Sequence, residues 1–375
     1  MILVHVIGAR PQFIKLAPLL RSFKSLDKRQ QSGIKNILIH TGQHYDDEMS
    51  SIFFRDLQIP EPDYNLGVGS GSHAFQTGEM LHKIEGLLIK VSPDLLVIYG
   101  DTNSTLAGSL AAVKLHIPIA HVEAGLRSFN KRMPEEINRI ISDHVSDILL
   151  APTPTAMKNL KQEGMGKKSF YTGDIMYDAV LINQPVAEEK SDILKRLELE
   201  NKDFAVVTIH RAENTENVQN LKLLFQTLAE IASPYFTVVF PIHPRTKNFI
   251  RLKNIIPSNS SHLKIIEPVG YFDMLKLVSH CQMILTDSGG LQKEAYFLNR
   301  PCITLREETE WAETITGKGN IITGINPDKI VKAIQEWKKR LKNTPTDFSK
   351  EIRKSFGDGR ASEIIRDIIL SSQKI

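Results

Sequence analysis

The chain has 375 residues, 41% of them apolar and 24% charged, with a formal net charge of +4. That composition excludes a disordered chain, and so slight and scattered a charge points to no nucleic acid and no membrane surface as partner. Two cysteines, Cys281 and Cys302, lie outside any CxxC or metal-like pattern, and no apolar run approaches the roughly 20 residues that span a bilayer.

The opening MILVHVIG reads as a strand running into a glycine, not as a signal peptide. Short apolar runs then recur at 37–40, 95–99, 118–122, 148–151 and 169–172. Segments such as 14–26 and 105–115 lie between them, with apolar residues at helical spacing. A polar stretch rich in Glu, Lys and Asp follows at 183–203. The pattern restarts at 204–209, 236–241, 263–267, 283–286, 302–305 and 320–323, and 361–375 reads as a final amphipathic helix. Strands alternating with crossovers long enough to be helices predict a doubly wound, Rossmann-like parallel sheet in each half, the two facing across a cleft. The cysteine usage and the absence of a leader point to a reducing cytoplasm.

Ligands of open parallel sheets sit at the carboxyl ends of the strands, so the polar residues placed there carry the chemistry. After the first strand come Gly8, for a tight turn, Arg10, able to fork onto phosphate oxygens, and Lys15 one turn into the helix. Asp101 follows the run 95–99, where it could equally cap a helix. The stretch HVEAGLRSFNKRMPEEINR carries Glu123 and the pair Glu135 and Glu136 around Arg127, Lys131 and Arg132. Pro134 with two glutamates is also a plain helix start, and Glu136 keeps that reading. In the second half, His210 and Arg211 follow one strand and His243 another. Ser288, Gly289 and Gly290 open a helix whose free N–H groups suit a diphosphate, and Glu294 suits a ribose diol. Capping by Asp287 or Ser288, with glycines for packing, is the alternative there, and a satisfied core histidine the alternative for His210. The glycine-rich 67–71 lacks GxGxxG spacing, and no HExxH or paired spacing among the 12 histidines argues for a metal.

These motifs identify a resemblance. From end to end the chain resembles the non-hydrolysing UDP-N-acetylglucosamine 2-epimerases through GARPQFIK, YGDTNST, HVEAGLRS with PEEINR, HRAEN, DSGGLQKEA and GDGRAS. The resemblance implies the two-domain GT-B fold. An N-terminal domain at 1–180 would carry the carboxylates, a UDP-binding domain would span 200–357, and a helix at 358–375 would return to the first. It implies interconversion of UDP-N-acetylglucosamine and UDP-N-acetylmannosamine for polysaccharide precursors, through elimination of UDP and its re-addition. Asp101, Glu123, Glu135 and His210 match the family's catalytic positions. Arg10, Lys15, His210, Ser288, Gly289, Gly290 and Glu294 match its UDP-binding positions. Arg211 and His243 from the strand-end clusters complete the expected substrate contacts, with Met274 and Trp311 at positions where this chain departs from many members. No cofactor and no metal is implied; a UDP-sugar is the partner, and a homodimer the assembly. The GARPQF and TEW runs look more like the branch acting on UDP-2,3-diacetamido-2,3-dideoxyglucuronate, which is the alternative substrate. The run Gln43-His44-Tyr45-Asp46 departs from the Gln-His-Arg-Gln run that forms a regulatory second nucleotide site in some members. A hydrolysing epimerase, a GT-B glycosyltransferase and a sensor without turnover are the more distant alternatives.

Overall fold

The computed structural model describes residues 1–43, 53–215, 217–242, 244–253 and 261–372. They divide into two compact units, one made of 1–182 with 353–375 and the other of 183–352. Each is built on a wholly parallel sheet flanked by helices.

The first sheet contains β1 (Ile2–Ile7), β2 (Lys35–His40), β3 (Tyr64–Asn65), β4 (Leu95–Tyr99), β5 (Ile119–Val122), β6 (Ile148–Ala151) and β7 (Ser169–Tyr171), in the order β3-β2-β1-β4-β5-β6-β7. Its central strands are near-continuous apolar runs because helices cover both faces. On one face Val4, Val6, Ile39, Leu96 and Ile98 pack against Met80, Ile84 and Leu88 of the helix His73–Val91, and against Ala107 and Ala111 of the helix Asn103–Lys114. The alternating pattern read from the sequence predicts about six strands here. The additional β3 has two residues and no apolar run to mark it.

The second sheet contains β8 (Phe204–Thr208), β9 (Thr237–Pro241), β10 (Leu263–Ile266), β11 (Met283–Thr286), β12 (Cys302–Thr304) and β13 (Asn320–Ile322), in the order β10-β9-β8-β11-β12-β13. The strand order reverses between β1 and β4 in the first sheet and between β8 and β11 in the second. At such a reversal the crossovers leave in opposite directions and open a crevice at the strand ends. Gly8 and Asp101 follow β1 and β4; His210 and Ser288 follow β8 and β11.

Two segments differ from a plain domain-and-linker picture. The polar stretch 183–203 is helical over its first part, because the helix Ile175–Lys190 runs into it with Pro185 inside. The last helix, Ala361–Ser371, packs in the first unit against the helix Arg10–Lys24. Buried Asp178 accepts from the N–H groups of Ala361 (3.1 Å) and Ser362 (2.7 Å), satisfying donors that a helix start leaves unpaired. Among the described residues no helix is long and apolar enough to cross a membrane.

Candidate active site

The candidate residues fall in both units, and each group is built by its own strand ends. In the first unit, Gly8 makes a close approach that any side chain would block. A Cβ there would lie 2.0 Å from Thr41 Oγ1 and 2.3 Å from Ser104 Oγ. Buried Gln12 accepts from the N–H groups of Gly8 (2.8 Å) and Ala9 (3.0 Å) and donates to the Tyr99 carbonyl (3.0 Å), tying the ends of β1 and β4 together. The Arg10 guanidinium lies over the Phe53 ring at 5.5 Å.

Lys15 and Glu123 form a buried ion pair at 2.5 Å, with side chains 7% and 8% exposed. Glu123 sits just past β5 on a left-handed backbone, φ 72°, which a residue with a Cβ adopts only when its surroundings enforce it. The enforcement is visible: the N–H groups of Glu123 and Ala124 both donate to the Leu150 carbonyl at 3.1 Å. Gly100, φ 62°, makes room for the partner cation, since a Cβ there would lie 3.1 Å from Lys15 Nζ. The sequence reading places Lys15 as a phosphate ligand; in the structure it is also the counter-ion of Glu123.

Asp101 does not cap the helix that follows it. Thr102 does, its hydroxyl accepting from the Thr105 N–H at 3.4 Å. The Asp101 carboxylate is free of that duty and pairs with the buried Arg139 guanidinium. Arg139 also bonds Glu136 at 2.8 Å, and Glu136 shows where the plain helix-start reading falls short. Glu136 is 1% exposed and accepts from Ser128 N–H (2.9 Å), Ser128 Oγ (3.0 Å) and Phe129 N–H (2.9 Å), so it fixes the loop after Arg127. Glu135, one residue earlier, is half-buried in the first turn of the helix Pro134–Val145. On the same loop Phe129 has φ 61° and is 78% exposed, and Lys131 and Arg132 are exposed beside it.

In the second unit the organising residue is Asp287, which the sequence reading treated only as a possible cap. It is fully buried and accepts from His210 N–H (3.1 Å), Arg211 N–H (3.0 Å) and Asn214 Nδ2 (2.9 Å). One carboxylate after β11 thus shapes the loop after β8. Arg211 Nε donates to the Asp287 carbonyl at 3.2 Å. His210 is no core histidine: its side chain is 47% exposed, with Nδ1 3.3 Å from Asp287 Oδ1. An Nδ1–H directed at that carboxylate leaves Nε2 as the nitrogen with the lone pair, the arrangement of a general base oriented by an acid.

Ser288 caps the helix Gly289–Phe297, accepting from the Leu291 N–H at 3.4 Å. The two glycines have different reasons. At Gly289 a Cβ would lie 2.3 Å from Glu310 Oε1, so that glycine admits a carboxylate of the protein itself, one held by Arg306 at 3.0 Å. At Gly290 the nearest atom is Ser288 Oγ at 4.0 Å, and the backbone there faces open space. Glu294 is buried, and burial pushes its carboxyl up to about 7 against the opposing pull of Lys293 and the Tyr271 hydroxyl. Trp311 is 2% exposed with Lys293 Nζ 3.9 Å from its ring centroid, so it offers a supporting face more than a ligand surface. Lys293, itself buried, is a cation the sequence reading passed over. Met274 is half-buried in the helix Tyr271–His280. His243 lies outside the described residues.

Among the described residues no group of three His, Cys, Asp or Glu is placed to hold a metal. Burial pushes both cysteine thiols up to about 12, which removes them as nucleophiles at neutral pH. What remains is carboxylates paired with cations in the first unit, and an oriented histidine with a capped helix start in the second. The first group can move protons, and the second can orient a base and receive an anion.

Comparison with known proteins points the same way. The profile of a family described as UDP-N-acetylglucosamine 2-epimerase matches residues 26–370. A UDP-N-acetylglucosamine 2-epimerase homolog of Methanococcus maripaludis is 48% identical, over 98% of this chain and 99% of that one. The UDP-2,3-diacetamido-2,3-dideoxy-D-glucuronate 2-epimerase of Pseudomonas aeruginosa is 43% identical, over 98% and 99%. The crystal structure of Methanocaldococcus jannaschii UDP-GlcNAc 2-epimerase, in complex with UDP-GlcNAc and UDP, superimposes with a TM-score of 0.89 at 43% identity, covering 99% of this chain and 100% of that one.

Proposed function

The chain belongs to the UDP-N-acetylglucosamine 2-epimerase family, whose members are isomerases, and from that premise we propose that it interconverts UDP-N-acetylglucosamine and UDP-N-acetylmannosamine. The observation that carries the reading is Glu123, a carboxylate fixed on a left-handed backbone at a strand end and paired with buried Lys15. Holding that conformation costs roughly 1–3 kcal/mol, a cost typical of functional sites.

The chemistry asks for what these residues offer. The C2 hydrogen of the sugar is not beside a carbonyl, so simple deprotonation is out of reach. Elimination is feasible: the C2 proton goes to a base, the C1–O bond to UDP breaks, and the electron pair leaves with the diphosphate. The product is a 2-acetamidoglucal. UDP then adds back to C1 while a proton reaches C2 on the opposite face, and no net oxidation occurs. We assign proton transfer at C2 to Asp101, Glu123 and Glu135, and orientation by Asp287 fits His210 for a general acid–base role. The Ser288 hydroxyl and the N–H groups at the start of the helix Gly289–Phe297, with Arg211, suit the leaving diphosphate, and Glu294 the ribose diol. Arg10, Gly289, Met274, His243 and Trp311 complete the proposed substrate surroundings, Trp311 as a support under Lys293. The family resemblance supports a cytoplasmic homodimer working on polysaccharide precursors.

A second reading has its own support. The Pseudomonas relative is named for a uronate carrying an additional carboxylate, and Lys131 and Arg132 are exposed cations on the loop that Glu136 fixes. Incubation with each sugar nucleotide in deuterated water, followed by NMR, separates the readings. Epimerisation of UDP-N-acetylglucosamine with deuterium entering C2 and no acceptor present is the expected result. Turnover of the uronate alone would select the second substrate, free sugar would indicate a hydrolase, and retention of the C2 proton in both would sink the epimerase.

A further inference from the structure

Behind the first unit's strand ends lies a buried ionic cluster that none of the roles above uses. His121, on β5, is fully buried, with Nδ1 2.7 Å from Asp143 Oδ1 and Nε2 2.7 Å from the Gly100 carbonyl oxygen. Asp143, on the helix Pro134–Val145 and also fully buried, spends its other oxygen on the Gly125 N–H (3.1 Å) and Arg127 Nη1 (2.7 Å). Arg127 forks onto Glu163 with two bonds of 2.7 Å and donates to the Leu126 carbonyl at 2.7 Å. Burial would push the Asp143 carboxyl up, yet His121 and Arg127 hold it below the usual carboxylate range.

Such a cluster is a poor way to gain stability, because desolvating the charges consumes most of their attraction. Its geometry suggests another purpose. Gly100 immediately precedes Asp101, and Gly125 comes two residues after Glu123. Both glycines have left-handed backbones, φ 62° and 84°, in turns whose glycines would otherwise have several conformations open to them. The cluster grips one backbone atom in each turn.

We propose that His121 and Asp143 are positioning residues for the epimerisation: acting through Gly100 and Gly125, they set the placement of Asp101 against Glu123. The proposal rests on the epimerase reading, in which both carboxylates serve proton transfer at C2. Both His121 ring nitrogens face acceptors, so Nε2–H donates to Gly100 and the ring cannot turn without losing a bond. A displacement of about 1 Å at a reacting group costs on the order of 100-fold in rate. The diphosphate contacts proposed at Ser288, Arg211 and the helix start Gly289–Phe297 belong to the second unit, so the loss is expected in kcat and not in KM.

Two amide substitutions separate the links. His121→Gln puts an N–H near the position of Nε2 and keeps the grip on Gly100; His121→Asn reaches only the Nδ1 position and keeps Asp143. The expected result is that His121→Asn lowers kcat on the order of 100-fold, with His121→Gln at least about tenfold better and KM of both within about threefold of wild type. Equal kcat for the two, the reverse order, or a change confined to KM overturns the proposal. Asp143→Asn decides if neither variant folds. With its oxygen toward Gly125 and Arg127 and its amide nitrogen toward His121 Nδ1, it preserves the links and is expected within about tenfold of wild-type kcat. A loss on the order of 100-fold there would show that charge, not linkage, matters. Wild type assayed alongside keeps the two claims apart. No C2 exchange in wild type defeats the epimerase itself, whereas wild-type turnover with indistinguishable variants defeats only the positioning role.

Discussion

At the scale of single residues, the paired carboxylates make the sharpest predictions. Glu123→Gln keeps the shape and removes the base, and its loss is expected to lower turnover by about 10²–10⁴-fold while UDP affinity, measured by calorimetry, changes little. Turnover at the wild-type rate would remove Glu123 from the mechanism. Glu294 gives a prediction in pH. Its carboxyl is raised from 4.5 to about 7 by burial, so the folded state holds a proton that the unfolded chain releases. The resulting stability is fully present below about 4.5 and is lost as pH rises through about 7, amounting to at most about 3 kcal/mol. Glu294→Gln mimics the protonated form at every pH. Thermal melts at pH 5 and pH 8 should therefore show a smaller fall in Tm for the variant, which should be the more stable protein at pH 8. Identical pH dependence in the two would mean that Glu294 ionises like an ordinary surface carboxylate.

At the scale of elements, the division between what the sequence shows and what it hides has a physical basis. The long, doubly covered strands were legible, because burial on both faces demands an apolar run: 2–7, 95–99, 148–151 and 283–286 coincide with β1, β4, β6 and β11. The two-residue β3 leaves no such trace. Strand ends were legible as places for polar residues, which is why Asp101, Glu123, His210 and Ser288 could be named. What could not be read was which neighbour each one meets. For Asp101 a capping role is an open alternative in the sequence, since adjacent Asp and Thr are equally able to cap, and the structure gives that role to Thr102. The pairing of Lys15 with Glu123 could not be read because the two are remote in sequence. Glu136 and Asp287 were underrated for a related reason: each gathers backbone N–H groups from a loop, and no spacing rule encodes loop geometry. The one available signal for Asp287 was its place immediately after an apolar strand and before the serine and glycines.

At the scale of the whole molecule, the first unit is discontinuous, and its last helix supports the helix that carries Arg10 and Lys15. The contact is specific: Arg366 donates to the Ser22 carbonyl at 2.9 Å and Ser22 Oγ to the Ser362 carbonyl at 3.2 Å, with Ile365 and Ile369 buried. Removing one of those apolar anchors leaves a cavity that the surrounding helices fill only in part. Ile365→Ala is accordingly expected to cost about 2–5 kcal/mol. Residue 365 belongs to the first compact unit, so the loss should be local. Hydrogen exchange should quicken in the helix Arg10–Lys24 and in β1 and β4, while β8 and β11 exchange as in wild type. Turnover should then fail at a lower temperature than the unfolding of the second unit, because the pair of Lys15 with Glu123 depends on the helix that has loosened. Exchange rising equally in both sheets would show instead that the units unfold as one cooperative body. In that case the returning helix would stabilise the whole chain and have no selective hold on the residues assigned to proton transfer.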